Sequence, residues 1–256
     1  MDDLEQQASE LSEAFQRDGF VSLPGFLSCD EIAEVNEEKR RFLQNCVPGL
    51  PRELVYREEK QDSGSLKQVQ KLQENSSYFE RMMFRSRFER LARVLLGEEV
   101  VGKNMQYFNK PAGIGRPTPP HQDGFFFMLE PNHAVTMWLA LEDVEPEQGC
   151  VRYVRGSHER GMRAHGRSGV LGFSQEILDF GVESDRADEV ACPCKAGHLI
   201  AHHSLTIHWA EGNTCRDRSR EALGFIYYGQ SAKEDVVAQA EYQQRLAAEL
   251  VAGGEI

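Results

Sequence analysis

No apolar run in these 256 residues approaches the ~18–20 residues that a membrane-spanning helix needs, so no such helix is expected. Positive charge is scarce as well: 29 Lys and Arg face 41 Asp and Glu, a formal net charge of −12. A surface that acidic repels phosphate backbones and anionic bilayers, so neither nucleic acid nor membrane is expected as a partner. The opening MDDLEQQASE is acidic and polar, without the basic, apolar and small-residue regions of a secretory signal. Paired cysteine motifs are missing too. Cys29, Cys46, Cys150, Cys192, Cys194 and Cys215 are irregularly spaced. The CPC at 192–194 falls one residue short of C-x-x-C, and no second pair completes a zinc site. Reduced thiols in a cytoplasmic protein are the expectation. There is no internal repeat and no low-complexity segment.

The chain is long enough for one large domain with a substantial core. Residues 1–97 read as a mostly helical flank. Within it, FVSL has strand character, Ser28 and Glu31 form an S-x-x-E capping signature, and 76–97 carries apolar residues at helical spacing up to Gly97. After Gly97 the texture changes to short apolar or alternating runs bounded by Gly, Pro or Asn, the pattern of a β-sandwich or barrel. These runs occupy 98–230, with a loop or insertion at about 156–187 of a length often used for lids. The stretch 231–256 returns to helix, with Val236, Val237, Leu246 and Leu250 as its apolar positions. The expected fold is mainly β with flanking helices, in one domain over 1–256.

The chemistry concentrates in two stretches. PPHQDGFFF (119–127) places His121 and Asp123 two apart. In a strand both would project to one face, with Gln122 on the other; Phe125 and Phe127 would share the metal side and Phe126 would not. An imidazole beside a carboxylate can hold a divalent metal, but a third ligand is needed. GHLIAHHSLTIHWAEGN (197–213) offers His198, His202, His203 and His208. His208, ahead of Trp209 and a turn-like EGN, suits a strand end facing a cavity. Two histidines and one carboxylate on one face of iron form the facial triad of non-haem iron(II) oxygenases. If 2-oxoglutarate is the co-substrate, its distal carboxylate needs a planar, bidentate cation. Arg220, opening REALGFIYY, is placed to serve; Arg218 is the rival.

Several motifs then stand in a recognisable order: RDGFVSLPGFLS (17–28), FNKP (108–111), HQD, MWLALEDVEPEQGCVRYVRGSH (137–158) and LTIHWAEGN…R. Together they resemble the phytanoyl-CoA dioxygenase (PhyH) family of iron(II)- and 2-oxoglutarate-dependent oxygenases, over about 17–228. The resemblance implies a double-stranded β-helix (a cupin-like jelly roll). It implies His121, Asp123 and His208 as iron ligands and Arg220 as the 2-oxoglutarate anchor. It also places Gln106, Trp138 and Gln122 at co-substrate positions, and leaves Gln68 as a looser match. His198 and Ala210 depart from the family's usual residues. The implied activity uses iron(II), 2-oxoglutarate and O2 to hydroxylate an unactivated carbon of a small molecule, releasing succinate and CO2; Asp123 speaks for hydroxylation over halogenation.

Two other classes fit the same residues. One is a catalytically silent jelly-roll module for binding or sensing. The other is a cupin-like metal enzyme that does without 2-oxoglutarate and has no need of Arg220. Arg152, Arg155, Arg160, Arg163 and Arg167 also admit two readings: contacts to an anionic substrate, or loop charges balancing nearby acids.

Overall fold

A computed structural model describes residues 3–59 and 61–252; residues 1, 2 and 60 of the expected flank and 253–256 of the expected C-terminal helix lie outside the described residues. The helices are α1 (Asp3–Asp18), α2 (Cys29–Asn45), α3 (Leu72–Asn75), α4 (Ser77–Met83), α5 (Arg87–Leu96), α6 (Gly124–Phe127), α7 (Glu183–Ala187) and α8 (Val236–Ala252). The strands of the first half are β1 (Phe20–Leu23), β2 (Val55–Arg57), β3 (Leu66–Val69), β4 (Val100–Lys110), β5 (Thr118–His121), β6 (Leu129–Glu130) and β7 (Ala134–Ala140). Then come β8 (Val151–Val154), β9 (His165–Val170), β10 (Phe173–Ile177), β11 (Glu189–Cys192), β12 (Leu199–His203), β13 (His208–Ala210), β14 (Arg220–Gly229) and β15 (Lys233–Glu234).

Two antiparallel sheets form the body. The larger runs β1-β12-β7-β14-β4-β3-β2 and the smaller β11-β8-β13-β5. From β4 the chain enters them in the order large (β4), small (β5), large (β7), small (β8, β11), large (β12), small (β13), large (β14). That alternation is the winding of a double-stranded β-helix. The helical flank contributes β1, β2 and β3 to the large sheet, so it is more than a cover. Among the described residues no helix is long and apolar enough to cross a membrane.

Strand periodicity decides what faces where. On β14, Leu223, Phe225 and Tyr227 join the apolar core under the helices, while Gly224, Ile226 and Tyr228 line a cavity between the sheets. β4 divides likewise into Met105 and Tyr107 against Asn104, Gln106 and Phe108. β7 divides into Val135, Met137 and Leu139 against Thr136 and Trp138. The helices answer with aromatics and aliphatics: Phe88 of α5 stacks on Phe225 at 4.3 Å between ring centres, and Leu91, Ala92 and Leu95 are buried beside it. α2 starts at the expected capping box, with Ser28 Oγ accepting from the Glu31 N–H and Glu31 accepting from the Ser28 N–H.

Three expectations need correction. Residues 76–97 form two helices, because Ser86 caps a new start by accepting from the Phe88 and Glu89 N–H groups. Residues 156–187 hold a 3-10 turn, the β9–β10 hairpin and α7, with Val190 of the following β11 pairing back to Tyr153. On α8, Val236 and Val237 are exposed, and Gln239, Tyr242 and Leu246 turn to the cavity; the Leu250 side chain lies outside the described residues.

Candidate metal centre

His121 ends β5 and His208 begins β13, paired directly across the small sheet. Asp123 is not on a strand. It sits at φ −56°, ψ −34° in the turn that opens α6, so the chain reverses helically there and β alternation does not apply. The turn is pinned by the Gly124 N–H donating to Ser204 O at 2.8 Å and by Asn132 Nδ2 donating to Gly124 O at 3.0 Å. A β-carbon at Gly124 would meet Asn132 Oδ1 at 2.4 Å, so any larger residue would have to displace the Asn132 amide that pins the turn. Phe127 lines the cavity as expected, but the turn exchanges the other two: Phe126 lies 5.9 Å from the His121 ring and lines the cavity, while Phe125 stacks on His165.

One ligand atom from each of His121, Asp123 and His208 lies within 4.8 Å of the others. Both imidazoles are set for coordination. His121 Nδ1 donates to Pro119 O at 2.8 Å and His208 Nδ1 to Thr206 O at 3.0 Å. Those bonds place the proton on Nδ1 and leave the Nε2 lone pairs toward Asp123 Oδ1, at 3.4 and 3.7 Å. Burial, with the neighbouring His121 and His202 rings, pushes the His208 imidazole well below its ordinary value, so it is neutral. Burial pushes the Asp123 carboxyl up, but the histidines gathered around it, His208, His121 and His202, outweigh that and hold it well below the usual carboxylate range. Two imidazoles and one carboxylate, with one face toward a cavity, fit a divalent first-row metal such as iron(II).

The remaining expected residues divide. Arg220 is 5 % exposed at the cavity's inner end. Its Nη1 donates to Gly149 O at 3.1 Å, its Nε has no partner, and no carboxylate pairs with it among the described residues. Burial lowers its pKa only to about 10, so it stays charged. A buried, unpaired guanidinium is costly unless an anion arrives. Arg218 is exposed. Trp138 packs under Arg220, and Gln106 lines the same cavity, its Oε1 accepting from Gln68 Nε2 at 2.7 Å. Gln68 Oε1 is buried without a partner. Gly224 pairs with both Gln106 and Trp138.

Gln122 differs from expectation. Its side chain points away from the cavity, Nε2 donating to Gly161 O and Leu205 O while Oε1 accepts from the Arg163 N–H. With its amide fully used, it ties the 161–163 loop to the strand end. The arginines behave mainly as balancing charges: Arg152 pairs with Glu189, Arg155 with Asp18, Arg160 with Asp188, and Arg163 with Asp179 and Asp185. None of those four lines the cavity, whereas Arg167 does. His198 bonds Ser22 at the sheet edge and His203 faces Phe15 of α1. His202, one of the four histidines of 197–213, is not among the three converging donors but reaches the site from behind: its Nε2 lies 3.1 Å from Asp123 Oδ2. β alternation puts it on one face with Ile200, but the sequence alone does not say that this face is the inner one.

The cavity is about 1240 Å³ and runs from Arg220 past the three donors to a mouth framed by the β9–β10 hairpin and α8. Ser174 Oγ and Tyr242 Oη, 2.6 Å apart, join hairpin to helix across it.

Comparison with known proteins places these features. The profile of phytanoyl-CoA dioxygenase (PhyH) matches residues 15–222. A phytanoyl-CoA dioxygenase of Arabidopsis thaliana is 32% identical over 173 residues, 63% of this chain and 59% of the relative. Ectoine dioxygenase of Stutzerimonas stutzeri (strain A1501) is 25% identical over 235 residues, 86% of this chain and 76% of the relative. The chain spans 59% and 52% of the length of the curated relatives from A. thaliana and Caenorhabditis elegans. Among solved structures, the epimerase SnoN in complex with Fe3+, alpha ketoglutarate and nogalamycin RO superposes with TM-score 0.72 at 26% identity, covering 90% of this chain and 86% of that one. EctD from S. alaskensis with 2-oxoglutarate and 5-hydroxyectoine gives TM-score 0.72 at 22% identity, covering 90% and 77%, a likeness of fold.

Proposed function

The chain belongs to the phytanoyl-CoA dioxygenase family, and from that membership we propose that it is an iron(II)- and 2-oxoglutarate-dependent dioxygenase that hydroxylates a small molecule. The observation that carries the proposal is Arg220: a buried, charged guanidinium without an acidic partner, on the same cavity as two histidines and a carboxylate whose donor atoms converge. A metal enzyme without 2-oxoglutarate would have no use for that cation.

In this reading His121 Nε2, His208 Nε2 and Asp123 hold iron(II). Arg220 takes the distal carboxylate of 2-oxoglutarate, with Trp138 beneath it and Gly224 leaving room. Thr118, across from Ala210 in the β5–β13 pairing, lines the cavity and offers a hydroxyl where position 210 has none. Bound iron supplies the oxygen activation that turns 2-oxoglutarate into succinate and CO2 and oxidises a substrate C–H bond. The protein's share is to keep the His208 imidazole neutral, orient the co-substrate and exclude water. Phe126 and Phe173, each against His121, serve the last task, and we assign the β9–β10 hairpin and α8 as the lid. We read flank, barrel and C-terminal helix as one unit, because β1–β3 complete the large sheet and α8 lines the cavity. Six free cysteines fit a reducing, cytoplasmic setting.

The test is anaerobic loading with iron(II) followed by 2-oxoglutarate and oxygenated buffer, with succinate measured. Iron-dependent succinate release, lost in Arg220→Ala, is expected. Metal uptake with no succinate under any condition would overturn the proposal in favour of a silent binding module. Full turnover by Arg220→Ala would favour an enzyme without 2-oxoglutarate.

A further inference from the structure

The reading of Asp123 as a metal ligand, on which this inference rests, leaves its second oxygen to be explained. Oδ1 faces the two histidine Nε2 atoms. Oδ2 is turned the other way, toward Thr136 Oγ1 at 2.6 Å and His202 Nε2 at 3.1 Å. The other nitrogen of His202 lies 3.2 Å from the hydroxyl of Tyr153. His202 is 2 % exposed and Tyr153 fully buried, so neither has water to fall back on. Of the two tautomers of the imidazole, one satisfies both contacts: Tyr153 Oη donates to Nδ1, and Nε2–H donates to Asp123. The reverse tautomer would set a bare nitrogen lone pair against a carboxylate oxygen.

The large sheet holds this chain in register. His202 pairs with Thr136 across β12 and β7, so both donors to Oδ2 stand side by side on one wall. Tyr153 reaches them from β8 in the small sheet, braced by Phe20, whose ring stacks on it at 4.7 Å. We infer that His202, oriented by Tyr153 and working with Thr136, is a positioning residue that locks the rotation of the Asp123 carboxylate so that Oδ1 alone is presented to the metal. A carboxylate free to turn would trade one oxygen for the other, or chelate with both and use up a position that co-substrate or oxygen needs. The competing account is that Tyr153 and His202 only fill space between the sheets.

Cobalt(II) serves as a probe that needs no turnover. Its affinity and visible absorption would be measured for the parent, His202→Phe, His202→Gln, Tyr153→Phe and His203→Gln. His202→Phe keeps the ring volume and loses the donor; cobalt affinity should fall ~10-fold or more, with a changed visible band. His202→Gln restores a donor at similar reach and should recover most of the affinity and the parental band. Tyr153→Phe should weaken binding several-fold, while His203→Gln, altered on the opposite face of the strand, should match the parent. Packing alone would lower thermal stability without moving the band. Parental affinity and band in His202→Phe, or in Tyr153→Phe should the former not fold, would overturn the inference while leaving the metal reading intact. A parent that takes up no cobalt would overturn the metal reading and this inference with it.

Discussion

Arg220 holds its guanidinium carbon 5.4 Å from the centre of the Trp138 ring, and its Nε has no hydrogen-bond partner. The indole supplies a flat, weakly attractive floor, and Gly149 O takes one N–H, so the rest of the fork is uncommitted. Removing it should cost charge-assisted bonds worth ~1.5–3 kcal/mol. Arg220→Ala should therefore raise the KM for 2-oxoglutarate roughly ten- to hundredfold, with cobalt affinity unchanged. Arg218→Ala should leave both at parental values.

Asp123→Ala should abolish hydroxylation and weaken metal binding by at least ~100-fold, beyond what loss of a supporting residue costs. Calorimetric titration with cobalt(II) checks this without turnover. The circular dichroism spectrum should be unaltered, because the turn before α6 is held by Gly124, Ser204 and Asn132.

Gly224 is a point of close approach. A β-carbon there would lie 2.6 Å from Phe108 Cε2, between Gln106 and Trp138 on the neighbouring strands. Gly224→Ala should destabilise the fold by ~1–3 kcal/mol through overpacking. It should also raise the KM for 2-oxoglutarate, because Phe108 is pushed into the cavity. Thermal melts and co-substrate titrations separate the two effects.

Acid should loosen the metal-free protein. Burial holds the His208 imidazole well below its ordinary value and takes His203 down to about 3. His203 Nδ1 accepts from the Leu205 N–H at 3.1 Å, which only the neutral ring can do. Unfolded, both rings titrate near ~6.5, so below that pH the unfolded chain binds more protons and stability falls. The loss should approach ~1.4 kcal/mol per pH unit for each ring. Asp123 acts lower down: its contribution is present above the ordinary carboxyl range and is lost as the pH falls toward its depressed value. Melting temperatures at pH 7, 6, 5 and 4 should decline in that order, and His203→Gln should flatten the decline.

How much could be read beforehand follows from the physics of each feature. The jelly roll is legible because its strands are short, alternating and punctuated by Gly and Pro. The convergence of His121, Asp123 and His208 is legible because motif order puts them at the ends of core strands, and the place of Arg220 on the cavity because it heads β14. Phe125 and Phe126 are not, because extended alternation fails where Asp123 starts a helical turn; Gln122 lies off the metal face as alternation reads it, away from the co-substrate position that the family resemblance implies. His202 is hidden by its neighbour. Two adjacent histidines are equivalent on paper until β12 has a face, and only the pairing with Thr136 shows which ring looks inward. The arginines of 152–163 found acids that lie far off in sequence, a pairing that local charge counting does not see.

The three donors come from β5, from the turn before α6 and from β13, while the bonds to Asp123 Oδ2 come from β7 and β12. An ion at this point would therefore act as a rivet between the two layers of the sandwich. Supplied at a hundred times its dissociation constant, it would add about 2.7 kcal/mol to the folded state. On the proposed function, loss of the ion would then do more than stop turnover: it would leave a looser chain, more readily cut by proteases.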